Sequence, residues 1–261
     1  MGHVVIAGQG YLGNRIARDL RRANTPVVGL RRSAVDGVRA ADLTDRASVQ
    51  HALEDLDVSA VVYCASADGR SVDAYRAAYV EGLRTMLEVA PDAYVVFVSS
   101  TAVYGQSSGF VDHASETKPS SPTAPVLVEA EAPPLGRAAI LRPAGLSGPT
   151  RTRLIRRVVD GTLSGPDRFT NRLHRDDAST AVIAALTHRP TGPFIGVDDD
   201  TAPLSEVAAY FASFFDVKAP VIKGPPVGKR CRNDALRGLG WVPRYPSFRE
   251  GYVDVARELA Q

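Results

Sequence analysis

Cysteine is scarce in this chain: Cys64 and Cys231 are the only two among 261 residues. Two thiols build neither a disulfide framework nor a metal cluster, so the expected setting is a reducing cytoplasm. Long apolar runs are also missing. Those present are strand-sized, too short to span a bilayer, and strand-like residues begin at Val4 where a signal peptide would still be running. Ile6 stands where myristoylation requires Ser or Thr, so no lipid anchor is expected after Met1-Gly2. Net charge is only +2, which argues against nucleic acid as the partner. Internal repeats and low-complexity tails are absent. What remains is a chain with 44% hydrophobic residues, long enough for one large domain or a core domain with a small appendage.

The most informative stretch is the first one. Val4-Val5-Ile6-Ala7 is a short apolar run, Gly8-Gln9-Gly10-Tyr11-Leu12-Gly13 follows, and Asn14 to Arg22 is amphipathic, with Leu12, Ile16 and Leu20 on one face. That order reads as strand, glycine loop, helix. Gly8 permits the tight turn, Gly10 lets the backbone approach a pyrophosphate, and Gly13 lets helix and strand pack closely. Free N–H groups at the helix start, helped by the helix dipole, would face the phosphates. A glycine loop alone can be an ordinary turn. The flanking strand and helix are the context that makes it a dinucleotide site.

Strand-like and helical runs then alternate. Pro26 to Leu30, Val58 to Cys64, Tyr94 to Ser99 and Ala138 to Leu141 read as strands. The second and third are continuously apolar, as strands buried on both faces should be. Asp45 to Leu56, with Thr44 as a plausible N-cap, and Asp73 to Val89 carry helical spacing. This pattern predicts an α/β fold: a Rossmann-type doubly wound parallel sheet over residues 1–145. The remainder, 146–261, is expected mainly as a small C-terminal substrate-binding region over the sheet's C-terminal edge. Segments near 174–197 are expected to pack back on the core. There, Asp176-Asp177 read as the cap of a helix running to Leu186, and Trp241, Tyr245, Phe248 and Tyr252 as the core of the small region.

Ser99-Ser100-Thr101-Ala102-Val103-Tyr104-Gly105 closes the fourth strand. With the glycine loop, it resembles the extended short-chain dehydrogenase/reductase superfamily, in particular its NAD-dependent epimerase/dehydratase group. Further segments agree in order: Asp42-Leu43, Cys64-Ala65-Ser66, Arg142-Pro143 through Gly148-Pro149, Asn171 through Asp177, and Leu239-Gly240-Trp241-Val242-Pro243. The resemblance implies that Gly8, Gly10, Tyr11, Leu12 and Gly13 hold the pyrophosphate. Asp42 and Leu43 lie by the adenine, and Cys64, Ala65, Ser66 and Pro143 lie towards the nicotinamide. Ser100 takes the catalytic serine's place beside Thr101 on the substrate side, and a homodimer is possible. The bland reading of Ser99 and Ser100 is a strand end satisfying its own backbone.

The departure from the pattern is informative. The group's proton donor is a tyrosine followed four residues later by lysine, shortly before an Ala-Glu pair. No tyrosine here is followed by lysine at that spacing. If Ala130-Glu131 is the pair, Thr123 and Leu127 occupy the two positions, and neither can do acid chemistry. The chain therefore resembles the atypical branch of the superfamily. Tyr104, His113 and His174 are the candidate replacements, histidine being the easier acid near neutrality. A lone histidine is more often structural, and Tyr104 is expected to pack beneath its loop.

The second strand ends in Arg31-Arg32, where an NAD enzyme places an acid for the ribose 2′-hydroxyl. A guanidinium fork suits a 2′-phosphate, so NADP(H) is favoured over NAD(H). From Arg137 to Arg175 there are nine arginines, no lysine and two acids, a local charge of +7. With Arg151 and Arg172 as substrate contacts, this points to a small anionic metabolite such as a nucleotide-sugar. The alternative for many of these residues is a solvated helix face. Asp198-Asp199-Asp200 reads as a strand-ending turn and not a metal site, and Cys231 as inert. Two functions remain open: hydride transfer to or from a carbonyl or hydroxyl carbon, and a non-catalytic NADP(H)-binding sensor or scaffold.

Overall fold

A computed structural model describes residues 2–35, 37–134 and 136–260. The Rossmann half runs β1 (His3–Ala7), α1 (Tyr11–Arg22), β2 (Val27–Arg31), β3 (Val38–Ala40), α2 (Arg46–Leu53) and β4 (Val58–Tyr63). A long helical stretch follows, made of α3 (Val72–Tyr75), a π-helical turn (Arg76–Glu81) and α4 (Gly82–Val89). Then come β5 (Tyr94–Val98), a 3-10 turn (Thr101–Val103), β6 (Phe110–Val111), α5 (Ala124–Glu131) and β7 (Ala138–Pro143). The later segments are β8 (Gly145–Ser147), α6 (Arg153–Val159), β9 (Gly165–Arg168), β10 (Arg172–His174), α7 (Arg175–His188) and β11 (Gly192–Gly196). The chain closes with α8 (Leu204–Phe214), β12 (Ile222–Val227), β13 (Arg230–Cys231), α9 (Asp234–Gly238) and α10 (Phe248–Ala260).

Seven strands form one parallel sheet in the order β11-β7-β5-β4-β1-β2-β3. Alternate residues of each central strand face opposite ways. Ile6, Val62, Val96 and Leu141 pack under α1 and α7, while Val5, Val61, Phe97 and Ile140 pack under α2 and α4. Both faces are dry, which is why the strands read as continuous apolar runs. A helix dock fixes α7 to α1: Arg15 bonds Asp176 at 2.6 Å and Asp19 at 2.8 Å, and Ser179 bonds Asp19 at 2.8 Å. So α7 and β11 belong to the Rossmann core.

The remaining pieces form a second apolar cluster around Phe211, Phe248 and Tyr252, with edge-to-face contacts such as 5.4 Å between the Phe211 and Tyr252 rings. Three expectations are corrected here. Trp241 packs into the Rossmann core beside α7 and donates to Thr180 Oγ1 at 3.0 Å, so it is not part of the small cluster; Tyr245 instead stacks on His174. Asp45, not Thr44, caps α2, because the Thr44 hydroxyl is drawn to Asp42. His174 Nδ1 caps α7, since Asp176 is engaged by Arg15 and Asp177 by the backbone N–H groups of Arg244 and Tyr245. No helix among the described residues is long and apolar enough to cross a membrane.

Phe97 is fully buried against Tyr63 of β4 and Tyr79 of the π-helical turn. Phe97→Ala is expected to lower stability by about 3–5 kcal/mol, read as a shift in the urea midpoint at unchanged slope.

Candidate active site

The strand order reverses between β1 and β4, and a crevice opens beyond their carboxyl ends, where open α/β sheets bind ligands. Backbone packing makes it. Gly8 sits at φ +99°, and a Cβ there would come within 2.4 Å of the Ala65 backbone. A Cβ on Gly13 would lie 2.6 Å from the Gly8 carbonyl. Gly10 differs: its Cβ would meet nothing within 4 Å, because it faces the open cleft. The N-terminus of α1 has no side-chain cap, so its amide groups are left for a ligand. The cleft measures about 640 Å³.

Gly8, Gly10, Tyr11 and Leu12 line it at the glycine loop, while Gly13 lies behind and supports them. Arg31, Arg32, Asp42 and Leu43 line the end beyond β2. Hydrogen bonds from the Thr44 hydroxyl and amide hold the Asp42 carboxyl below its ordinary range. Arg31 is exposed, and Arg32 makes a two-pronged pair with Asp68, a cleft residue from the loop after β4 that had no sequence signal. Cys64, Ala65, Ser66 and Pro143 line the other end with Val98, Ser99, Leu146 and Arg151. The Cys64 thiol is buried against the Gly8 carbonyl at 3.3 Å, and burial pushes its pKa up to about 12. The π-helical turn supplies a wall through Ala77, Ala78 and Tyr79, with the Ala78 carbonyl taken by the Tyr63 hydroxyl. Such turns gather at functional sites, and hydrophobic spacing alone cannot reveal one.

Tyr11 ties the cleft to the C-terminal segments. Its hydroxyl donates to the Pro149 carbonyl at 3.0 Å, and its ring lies between the guanidinium groups of Arg151 and Arg175, at 4.5 and 5.0 Å. Arg151 therefore lines the cleft. Arg172 does not, correcting the expectation. It is buried, bonds the Thr170 hydroxyl and lies near Asp198, whose carboxyl burial holds up to about 8 against the pull of Arg172. The three aspartates diverge: Asp198 points inward, Asp199 pairs with Arg237 and Asp200 with Arg249.

The candidate acids are separated in the same way. Ser100 is half-buried at the end of β5, and its Oγ accepts from the Ala102 amide at 3.1 Å. Thr101 is buried beside it. Their neighbour Ser99 lines the cleft, whereas Ser100 and Thr101 do not. Tyr104 is fully buried. Its hydroxyl donates to the Asp112 carbonyl at 3.0 Å and accepts from Arg142, and burial pushes its pKa up. It is no proton donor to a ligand but part of a buried network. In that network Arg142 grips Glu131 at 2.5 Å, and the Ser99 hydroxyl bonds Glu131 at 2.6 Å. His113 is exposed on the loop after β6 and lines no part of the cleft. His174 is buried against the Tyr245 ring at 3.8 Å; burial pushes its pKa down to about 4, so it is neutral near pH 7. Thr123 precedes α5 and Leu127 is buried in it. Burial also pushes the Cys231 thiol up to about 12, leaving it inert.

Fold and crevice together define a dinucleotide-binding α/β protein. A family model described as the NAD dependent epimerase/dehydratase family matches residues 4–193, and the chain belongs to that family. A Methylobacillus flagellatus protein named for the same family superposes with a TM-score of 0.86 at 29% identity, covering 100% of this chain and 99% of that one. A dTDP-glucose 4,6-dehydratase from Bacillus anthracis in complex with NAD shares the fold at TM-score 0.81 and 16% identity, covering 98% and 96% of the two chains. A UDP-glucose 4-epimerase from Thermus thermophilus complexed with NAD does so at 0.75 and 21%, covering 98% and 99%. In sequence, a 3-diazoavenalumate denitrifying reductase from a Streptomyces species is 30% identical over 114 residues, 36% of this chain and only 38% of that protein.

Two consequences are measurable. Gly13→Val is expected to cost about 1–3 kcal/mol by overpacking and to weaken dinucleotide binding, checked by urea denaturation and calorimetry. His174 titrates near 6.5 when unfolded and near 4 when folded. Its neutral form is the one the fold accepts, so its contribution is complete above about pH 6.5 and is lost as the pH falls towards 4. Stability followed over that interval should decline less steeply in His174→Gln than in the wild type.

Proposed function

We propose that this protein is an oxidoreductase that binds NADP(H) in preference to NAD(H). On this reading it moves a hydride to or from a carbonyl or hydroxyl carbon of a small anionic metabolite in the cytoplasm. The observation that carries the reading is the open face of Gly10 beside the uncapped start of α1, at the reversal point of the sheet. The residues there fit a dinucleotide: amide donors for its pyrophosphate, Asp42 and Leu43 for its adenosine half, and Cys64 to Ser66 with Pro143 towards its nicotinamide. The nicotinamide, when bound, supplies or accepts the hydride. The chain's own part is positioning. Ser100, next to the cleft-lining Ser99, would position the substrate oxygen, and Arg151 places a positive charge in the cleft lining. Arg31 and Arg32 replace the acid that would bind a ribose 2′-hydroxyl, and Arg32 would exchange Asp68 for a 2′-phosphate.

Thr123 and Leu127 leave no tyrosine–lysine pair at that place, and Tyr104 and His174 are committed elsewhere. A second reading follows. An acceptor that expels a leaving group, instead of taking a proton on oxygen, needs no acid. The name of the Streptomyces relative, a denitrifying reductase, agrees with such an acceptor.

Calorimetric titration of wild type and Arg31→Ala/Arg32→Ala with NADPH and NADH tests the cofactor. Micromolar binding of NADPH, at least about tenfold tighter than NADH and lost in the variant, is the expected result. No binding of either dinucleotide overturns the reading. With a turnover assay in hand, Ser100→Ala should lower kcat by about 10²–10³-fold. Tight binding with no hydride transfer to any acceptor would leave a sensor or scaffold.

A further inference from the structure

Two opposite charges meet across β1 at the end of the cleft that the functional reading gives to the adenosine. Arg32 directly follows β2, and Asp68 lies on the loop after β4. In the sheet these two strands flank β1 on either side. Both side chains line the cleft, and they join in a two-pronged bond, one arm running from Arg32 Nη2 to Asp68 Oδ1 at 2.8 Å. The feet of this bridge are fixed. The Gly8 and Gln9 amides both donate to the Leu30 carbonyl at 3.1 Å, which ties the glycine loop to the end of β2. On the other side, the Cys64 amide donates to the Ala7 carbonyl at 2.9 Å, and Gly8 abuts Ala65.

The pair sits where the two dinucleotides differ. β2 ends in Arg31 and continues into Arg32, without the acid that binds a ribose 2′-hydroxyl. Asp68 brings a carboxylate to the same end of the cleft from a different strand. The other acid there, Asp42, gives one carboxylate oxygen to the Thr44 amide and hydroxyl at 2.9 and 2.7 Å, and it is not bonded to Arg32. A guanidinium fork holds one bidentate oxyanion at a time. A 2′-phosphate therefore engages that fork of Arg32 by displacing the Asp68 carboxylate. A 2′-hydroxyl needs no displacement, because it donates to Asp68 while the pair stays closed. The two side chains are 71% and 63% exposed, so opening the pair costs little. It biases the choice between the dinucleotides and forbids neither.

We propose that Asp68 is a specificity-determining residue of the cleft: it competes with a 2′-phosphate for Arg32 and serves as the ribose acid that β2 lacks. The inference rests on the dinucleotide reading of the cleft and deepens it. Arg32 supplies the preference for the phosphorylated dinucleotide, and Asp68 limits that preference. The two act as one selector, assembled from two strands and separated by 36 positions in the chain.

The test is calorimetric titration with NADPH and NADH of wild type, Asp68→Asn, Asp68→Ala, Arg32→Ala and the double variant Arg32→Ala/Asp68→Asn. Asp92→Asn, which removes an exposed acid at the amino end of β5, opposite the cleft, controls for lost charge. Asp68→Asn is expected to tighten NADPH by about two- to fivefold, as release of an exposed bidentate pair allows. Adenosine 2′-monophosphate, which carries the phosphate without the nicotinamide half, should show the same gain. Asp68→Ala should tighten NADPH and weaken NADH, because it also removes the acceptor for the hydroxyl. With Arg32 already gone, Asp68→Asn should gain less than about twofold for NADPH, since the coupling of two contacting residues is lost with either one. Asp92→Asn should change neither ligand. Unchanged or weaker NADPH binding in Asp68→Asn overturns the selector. So does an equal gain for NADH, or a gain in the Arg32→Ala background as large as in wild type. If wild type and variants bind neither dinucleotide, the functional reading itself fails; if they bind both but Asp68 moves neither, only the selector fails.

Discussion

The close approach of two backbones at the ends of β1 and β4 governs the rest of this molecule. Gly8 presses on Ala65 and Gly13 on the Gly8 carbonyl, with distances that no side chain could share. That contact sets the direction of α1, brings its uncapped amide groups to the crevice and seals the Cys64 thiol beneath. Because α1 is fixed there, Arg15 and Asp19 can dock α7, and through Tyr11 the loop at Pro149 is drawn over the cleft. A displacement at the glycine loop would pass to each of these in turn, since packed interiors transmit strain and do not absorb it.

A second constraint is electrostatic. Ser99, Tyr104, Glu131 and Arg142 form a closed buried network beneath the candidate catalytic serine. Taking a guanidinium and a carboxylate out of water is costly, and the cost is recovered only when every donor is matched. Here the bidentate grip, a serine hydroxyl and a tyrosine hydroxyl do so. Chemistry-bearing side chains are thereby converted into scaffold: Tyr104 cannot serve as a donor while it is held, and Ser100, one residue beyond the network, caps the 3-10 turn through the Ala102 amide.

Much of this was legible in the chain. The glycine loop, the continuous apolar strands and the alternation with helices carry local information, because period and turn chemistry are properties of neighbours. The placements of Gly8, Gly10, Tyr11, Asp42, Cys64 and Pro143 on the cleft follow from strand ends that sequence marks well. Other contacts were not legible. Asp68 meets Arg32 across 36 positions, Arg142 meets Tyr104 across 38, and Trp241 finds the Rossmann core across 61 residues to Thr180. A basic run such as Arg151 to Arg175 looks uniform in one dimension. In three, Arg151 faces the cleft, Arg172 is buried and Arg175 covers a ring.

By itself, then, the sequence determined the parallel sheet, the dinucleotide crevice and the family, because these rest on hydrophobic periodicity and on glycines whose missing side chains are local facts. Tertiary structure alone decided which titratable groups are available. Tyr104 and His174 are ordinary candidates in the sequence, and burial together with distant partners removes both. Lys229 and Arg230 look like two surface cations until the fold gives the first a backbone carbonyl and the second two ring faces. Ionisation and hydrogen-bond capacity depend on what surrounds a group in space, and that surrounding is assembled from residues far apart in the chain.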